Sequence, residues 1–290
     1  MKNRTRLIFV ISSIALILLA WLAPEQGTNH QVAAATLDKQ LFIPFSLKSQ
    51  NFAKLPSEWL VLVNQYRSQA GVPTVIEEQT LSDNCYQHAR YMAENNDLTH
   101  NQDPSLPYAS AAGQICAQHG NAWLGAVYSQ PIWTVSDSVD GWMGSVGHRL
   151  WLLYPTTPIF GYGFYTADNN RAAAALDVLS RAEFNKDPTY TGWPVRYPAP
   201  GETGIPPVKF PITVNWSYTQ SDPQLNSASL TTVGGGAVAH QANTDLPGEH
   251  KGIQILPDVS LEPNTSYEVS VNGIYSGQAF TYTWQFTTGD

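Results

Sequence analysis

Gly141-Trp142-Met143-Gly144-Ser145-Val146-Gly147-His148-Arg149 sets a histidine in a glycine-spaced turn, behind a segment from Ser136 through Met143 whose Val139 and Trp142 recur at helical spacing. Alone it specifies little. Its counterpart upstream is Leu98-Thr99-His100, a second histidine that would share a site with His148 if the two segments meet. Around them lie three further ordered stretches. Leu60-Val61-Leu62-Val63-Asn64-Gln65-Tyr66-Arg67 follows Ser57 in an N-cap position, repeats Trp59, Val63 and Tyr66 on one face, and stops at Gly71-Val72-Pro73. Cys85-Tyr86-Gln87-His88-Ala89-Arg90-Tyr91-Met92 belongs to a second helix starting near Thr80 or Ser82, with Leu81, Cys85, Ala89 and Met92 inward. Pro158-Ile159-Phe160-Gly161-Tyr162-Gly163 opens a strand that runs to Tyr165.

In that order the stretches resemble the CAP superfamily, the secreted fold shared by cysteine-rich secretory proteins, antigen 5 and pathogenesis-related 1 proteins. The resemblance covers roughly Phe52 to Ala182. It implies an α+β fold with helices on both faces of a central sheet, a three-layer α-β-α sandwich. Ala172-Ala173-Ala174-Ala175-Leu176-Asp177-Val178-Leu179 suggests helix by composition, but the resemblance makes it the strand beside 159–165.

The resemblance also implies a central cleft holding two histidines and two acidic residues, which in several family members binds a divalent metal. His100 matches the first histidine and His148 the second, and neutral imidazole suits Zn or Cu. The usual Gly-Glu-Asn is represented by Gly113-Gln114-Ile115, so an amide that neither ionises nor serves as a general base stands where a carboxylate is expected. Asp137 and Asp140 are the candidates for the second acidic position, though a helix's first turn favours acids for its dipole alone. Ser145 beside His148 lacks a Gly-x-Ser-x-Gly elbow and is expected to support the loop that aims His148. His88 and His119 are expected to be structural, and Arg149 to form a structural salt bridge.

Two functional classes follow. One is a non-catalytic extracellular binding module for a metal ion or small ligand (family members are reported to bind lipids, sterols or glycans), with Tyr108, Trp123, Trp133, Trp142 and Trp151 as an aromatic supply. The other is a metal-dependent hydrolase using Zn held by the histidines and an aspartate; a structural cell-surface protein with a degenerate cleft is a third reading.

Lys2, Arg4 and Arg6 precede an apolar run from Leu7 to Leu22, the pattern of an export signal, so residues 1–35 are expected to be a signal peptide or an N-terminal anchor with a short spacer. Membrane contact is expected only through that segment if uncleaved. The 15 Lys+Arg against 23 Asp+Glu leave no basic footprint for nucleic acid. Two cysteines in an exported chain predict a Cys85–Cys116 disulfide, the alternative being two buried thiols; closing that loop is worth roughly 3 to 4 kcal/mol.

Residues 52–186 are thus expected to form the CAP domain. The proline-rich stretch 187–211 reads as a connector or domain edge. From 212 to 290, Ile212, Val214, Trp216 and Tyr218, then Tyr267, Val269 and Val271, then Tyr282, Trp284 and Phe286 alternate with period two, with turn signals at Gly234-Gly235-Gly236, Pro247-Gly248 and Asn272-Gly273. This predicts a small all-β sandwich, and the end of the chain resembles bacterial Ig-like modules.

Overall fold

The computed structural model describes residues 57–125 and 132–290. The expected export segment lies outside the described residues. Among them, no helix is long and apolar enough to cross a membrane.

The first part carries helices α1 (Glu58–Gln69), α2 (Gln79–Asn95), α3 (Ala111–Gln118), α4 (Val135–Gly144) and α5 (Val146–Leu152). Its strands are β1 (Ile76–Glu77), β2 (Gly120–Leu124), β3 (Ile159–Thr166) and β4 (Ala172–Asp177). They form one sheet in the order β1-β3-β4-β2, with β1 parallel to β3 and the other pairs antiparallel. Both faces are covered. Ala174 and Leu176 pack with Trp59, Val63, Val139 and Trp142 of α1 and α4, whereas Ala173 and Ala175 pack with Cys85, Ala89 and Met92 of α2. The alanine run is therefore a strand because its small side chains let helices close on both sides, an environment that overrides helical propensity.

On the α2 face the approach is tighter still. A β-carbon at Gly161 would fall on Leu81 and Ser82, and one at Gly163 on the backbone of Cys85 and Tyr86. The Ser82 hydroxyl accepts the Tyr162 N–H at 3.1 Å across the same seam. The Cys85–Cys116 disulfide forms and ties α2 to α3. Ser57 does not cap α1 with its side chain; its hydroxyl donates to Glu77 at 3.0 Å instead.

Downstream, β5 (Val195–Tyr197), β6 (Ile212–Asn215), β7 (Gln224–Thr232), β8 (His240–Asn243), β9 (Gly252–Pro257), β10 (Ser266–Tyr275) and β11 (Gln278–Thr287) form two antiparallel sheets. Their orders are β5-β6-β9-β8 and β11-β10-β7, so an α+β part is followed by a β-sandwich. The proline-rich stretch supplies β5 and buries Val195, Tyr197, Ile205 and Phe210 in a core shared with Trp59 and Trp142. Asn272-Gly273 is a register shift inside β10 and not a turn. The hairpin turns at Ser276-Gly277, both at positive φ, as a two-residue turn between twisted strands requires.

Candidate functional site

His100 follows α2 on an exposed loop. Its Nδ1 lies 3.1 Å from the Ala117 carbonyl, one residue past the disulfide, and since a carbonyl only accepts, Nδ1 carries the proton and leaves the Nε2 lone pair free. His148 sits on α5. Its Nδ1 is 3.1 Å from the Ser145 hydroxyl, on the residue that precedes α5. Burial holds the His148 imidazole below the ordinary histidine range, and repulsion from His100 adds to the effect. The sequence therefore does bring the two imidazoles together.

They line one pocket of about 330 Å³ with Asn121, Ser145, Trp151 and, from the β part, Pro247. A β-carbon on Gly147 would just touch Pro247, and Leu246 packs on Val146 and Leu150, so a turn of the β part roofs the pocket. Asn121 escaped sequence reasoning because a single asparagine on a strand gives no signal. Its Nδ2 donates to the His148 carbonyl at 3.0 Å, and its buried Oδ1 has no partner among the described residues.

The other candidates lie elsewhere. Gln114 takes the Gln102 N–H at 2.7 Å on its Oε1 and donates to Asn101 at 3.1 Å, bracing the loop after His100 without lining the pocket. Asp137 accepts the Thr134 N–H at 2.7 Å while the Thr134 hydroxyl accepts from the Asp137 N–H; it is half of a capping box on α4. Asp140 accepts from the Tyr66 hydroxyl at 2.7 Å and lines a different cavity. Of the aromatic supply only Trp151 lines the pocket, while Trp142 is core and donates to the Ala122 carbonyl. Arg149 has no carboxylate partner within salt-bridge distance among the described residues: fully buried, it donates to the Met143 and Pro211 carbonyls at 2.6 Å each, and burial pushes its guanidinium down to about 10.

Residues 60–179 match the family model for the cysteine-rich secretory protein family, CAP. The chain carries a CAP domain. No curated protein matches it. Among the described residues, no group of three or more His, Cys, Asp or Glu is placed to hold a metal ion. The CAP pocket thus offers two imidazoles, short of the three protein ligands typical of catalytic zinc, and the residues do not fit a resident zinc centre.

The two other buried histidines of this CAP-containing chain differ in kind. His88 is satisfied: Nε2 donates to the Thr99 carbonyl at 3.0 Å, and Gln102 donates to Nδ1 at 3.2 Å. His250, just beyond the roof turn, packs 4.3 Å from Trp151 between ring centroids, and neither nitrogen has a partner among the described residues. Burial pushes it down to about 4. Between the ordinary value of about 6.5 and 4 the unfolded chain takes up a proton that the folded chain refuses, so stability falls as pH drops through that window, by about 2 to 3 kcal/mol for this group. His250→Phe, which keeps the ring and drops the nitrogens, is expected to gain about 1 kcal/mol at pH 7. It should also flatten the loss between pH 6.5 and 4. Urea unfolding at both ends checks it, and a variant as acid-sensitive as the parent would refute the assignment.

Proposed function

We propose that this protein is an exported binding module whose histidine pocket takes a small extracellular ligand, with His100 and His148 able to hold a divalent ion only weakly and in exchange with solvent. The observation that carries the reading is the convergence of His100, His148 and Asn121 on one roofed pocket lined, among the described residues, by no carboxylate. Two imidazoles and an amide acceptor bind and orient. They lack the carboxylate that would complete a set of three protein ligands around a hydrolytic zinc, since Gln114 braces a loop and Asp137 caps a helix. An exported setting accords with the disulfide and with the CAP match.

The test is calorimetric titration of the protein with Zn and Cu ions beside a His100→Ala plus His148→Ala double variant, with a casein-cleavage assay run in parallel. The expected result is metal binding weaker than about 1 μM, as for a two-ligand site, lost in the double variant, and no cleavage with or without metal. Tight zinc binding with zinc-dependent cleavage would overturn the reading in favour of a hydrolase. Binding unchanged in the double variant would place any ion elsewhere.

A further inference from the structure

A second cavity lies apart from the histidine pocket. A space of about 440 Å³ lies between α1, α4 and the proline-rich stretch, a size that accommodates a whole small organic molecule and is far beyond what a bare ion fills. One wall is apolar, with Leu62, Met143 and Phe210. The polar side holds the neutral Gln65, Gln69 and Thr203 and, as its only carboxylates among the described residues, Asp140 from α4 and Glu202 from the stretch after β5.

The hydrogen-bond inventory fixes the sign of what fits. Tyr66 spends its hydroxyl proton on Asp140 at 2.7 Å, and Glu202 takes the Ala199 N–H at 2.6 Å. Each carboxylate keeps lone pairs for a donor entering the space. Burial raises Glu202, and it raises Tyr66 and Tyr197, whose neighbouring carboxylates oppose a second negative charge. One fixed cation stands nearby but does not line the space: Arg149 lies under the rings of Tyr197 and Phe210, 5.0 and 4.5 Å from their centroids, with Nε and Nη1 on backbone carbonyls and Nη2 without a partner among the described residues. An entering anion would meet two carboxylates before it met that guanidinium. Two carboxylates against one guanidinium leave a formal charge of −1, which a single positive charge balances.

We propose that this cavity is a second binding site, which takes a small primary-ammonium compound with an apolar body, its ammonium between Asp140 and Glu202 and its body against Leu62 and Phe210. Aromatic walls favour a cation further, because ring faces attract positive charge. The site shares no lining residue with the histidine pocket, so its occupancy is independent of the function proposed for that pocket.

Phenethylamine is the probe, with 2-phenylethanol as its neutral counterpart, phenylacetate as its anionic one and methyl glucoside as a polyhydroxyl control, all followed by calorimetry. Asp140→Asn and Glu202→Gln keep shape and hydrogen-bond acceptance while removing charge, and Gln65→Trp fills the space from an exposed position on α1. Thermal unfolding checks that each variant folds. The expected result is binding of phenethylamine alone, weakened about tenfold by each charge-removing substitution. Gln65→Trp should abolish it, and the double histidine variant should leave it unchanged. No binding of phenethylamine to the parent, equal binding of 2-phenylethanol, preference for methyl glucoside, or indifference to Asp140→Asn and Glu202→Gln would each overturn the proposal.

Discussion

Replacing Gly163 by alanine is expected to cost more than about 3 kcal/mol and to lower the thermal midpoint by roughly 10 °C, if the variant accumulates at all. The added β-carbon would occupy space already held by the backbone of Cys85 and Tyr86. A flexible side chain can rotate out of the way, but a helix backbone cannot, so α2 would have to retreat from β3 along its length. That retreat would open the interface where Cys85, Ala89 and Met92 pack on Ala173 and Ala175. It would also strain the contact between the Ser82 hydroxyl and the Tyr162 N–H. Against a total stability of roughly 5 to 15 kcal/mol, such a loss is large. Gly144→Ala is the control, because a β-carbon there meets nothing within 4 Å. Should Gly163→Ala unfold within 1 kcal/mol of the parent in urea while Gly144→Ala does the same, the close approach of α2 to the sheet would be refuted.

The second large effect is expected at Asp187, buried to 1 % exposure between the two parts of the chain. Its carboxylate accepts from the Tyr154 hydroxyl, from Thr156 at 2.6 Å and from Ser217 at 2.7 Å. Tyr154 in turn accepts the Tyr218 N–H at 2.9 Å. Thr156 and Tyr154 belong to the CAP domain, Ser217 and Tyr218 to the chain after β6. Truncation to alanine leaves several buried hydroxyls without their acceptor and an emptied space beside Tyr154. The expected loss is about 3 to 5 kcal/mol, as for other broken buried charged networks. Asp187→Asn retains an acceptor for Thr156 and should lose distinctly less. Urea unfolding followed by tryptophan fluorescence and by far-ultraviolet dichroism measures both variants. A loss below 1 kcal/mol for Asp187→Ala would show that this carboxylate does not join the two parts.

The sequence shows α1, α2 and α4 through helical spacing of their buried faces, whereas β4 is legible only through the resemblance, because its six residues are all buried and carry no alternation. His100 and His148 come from the resemblance alone, and both line one pocket. The sequence leaves Asp137 open, since an acid in the first turn of a helix serves equally as ligand or cap, and the capping box with Thr134 three residues before it makes it a cap. It misleads at Asn272-Gly273, where an ordinary turn pair sits inside a long strand and the turn falls at Ser276-Gly277. Asn121 and the carboxylate cavity are invisible in one dimension. Asn121 joins His148 from 27 residues away, and Asp140 is set beside Glu202 only by the packing of the proline-rich stretch onto α1 and α4.

That packing governs how the chain comes together. Trp59 of the first helix and Phe286 of the last strand belong to one continuous core, and Trp284 donates to the Pro198 carbonyl at 2.9 Å. A partly synthesised chain holding α1 and α4 but not yet β11 would therefore present an unfinished apolar face. Contacts between residues so far apart close slowly, and the exposed surface in the meantime favours self-association. The CAP domain of this protein is thus bound to wait for the end of its own chain, and a shortened version cut after β4 would emerge sticky instead of stable.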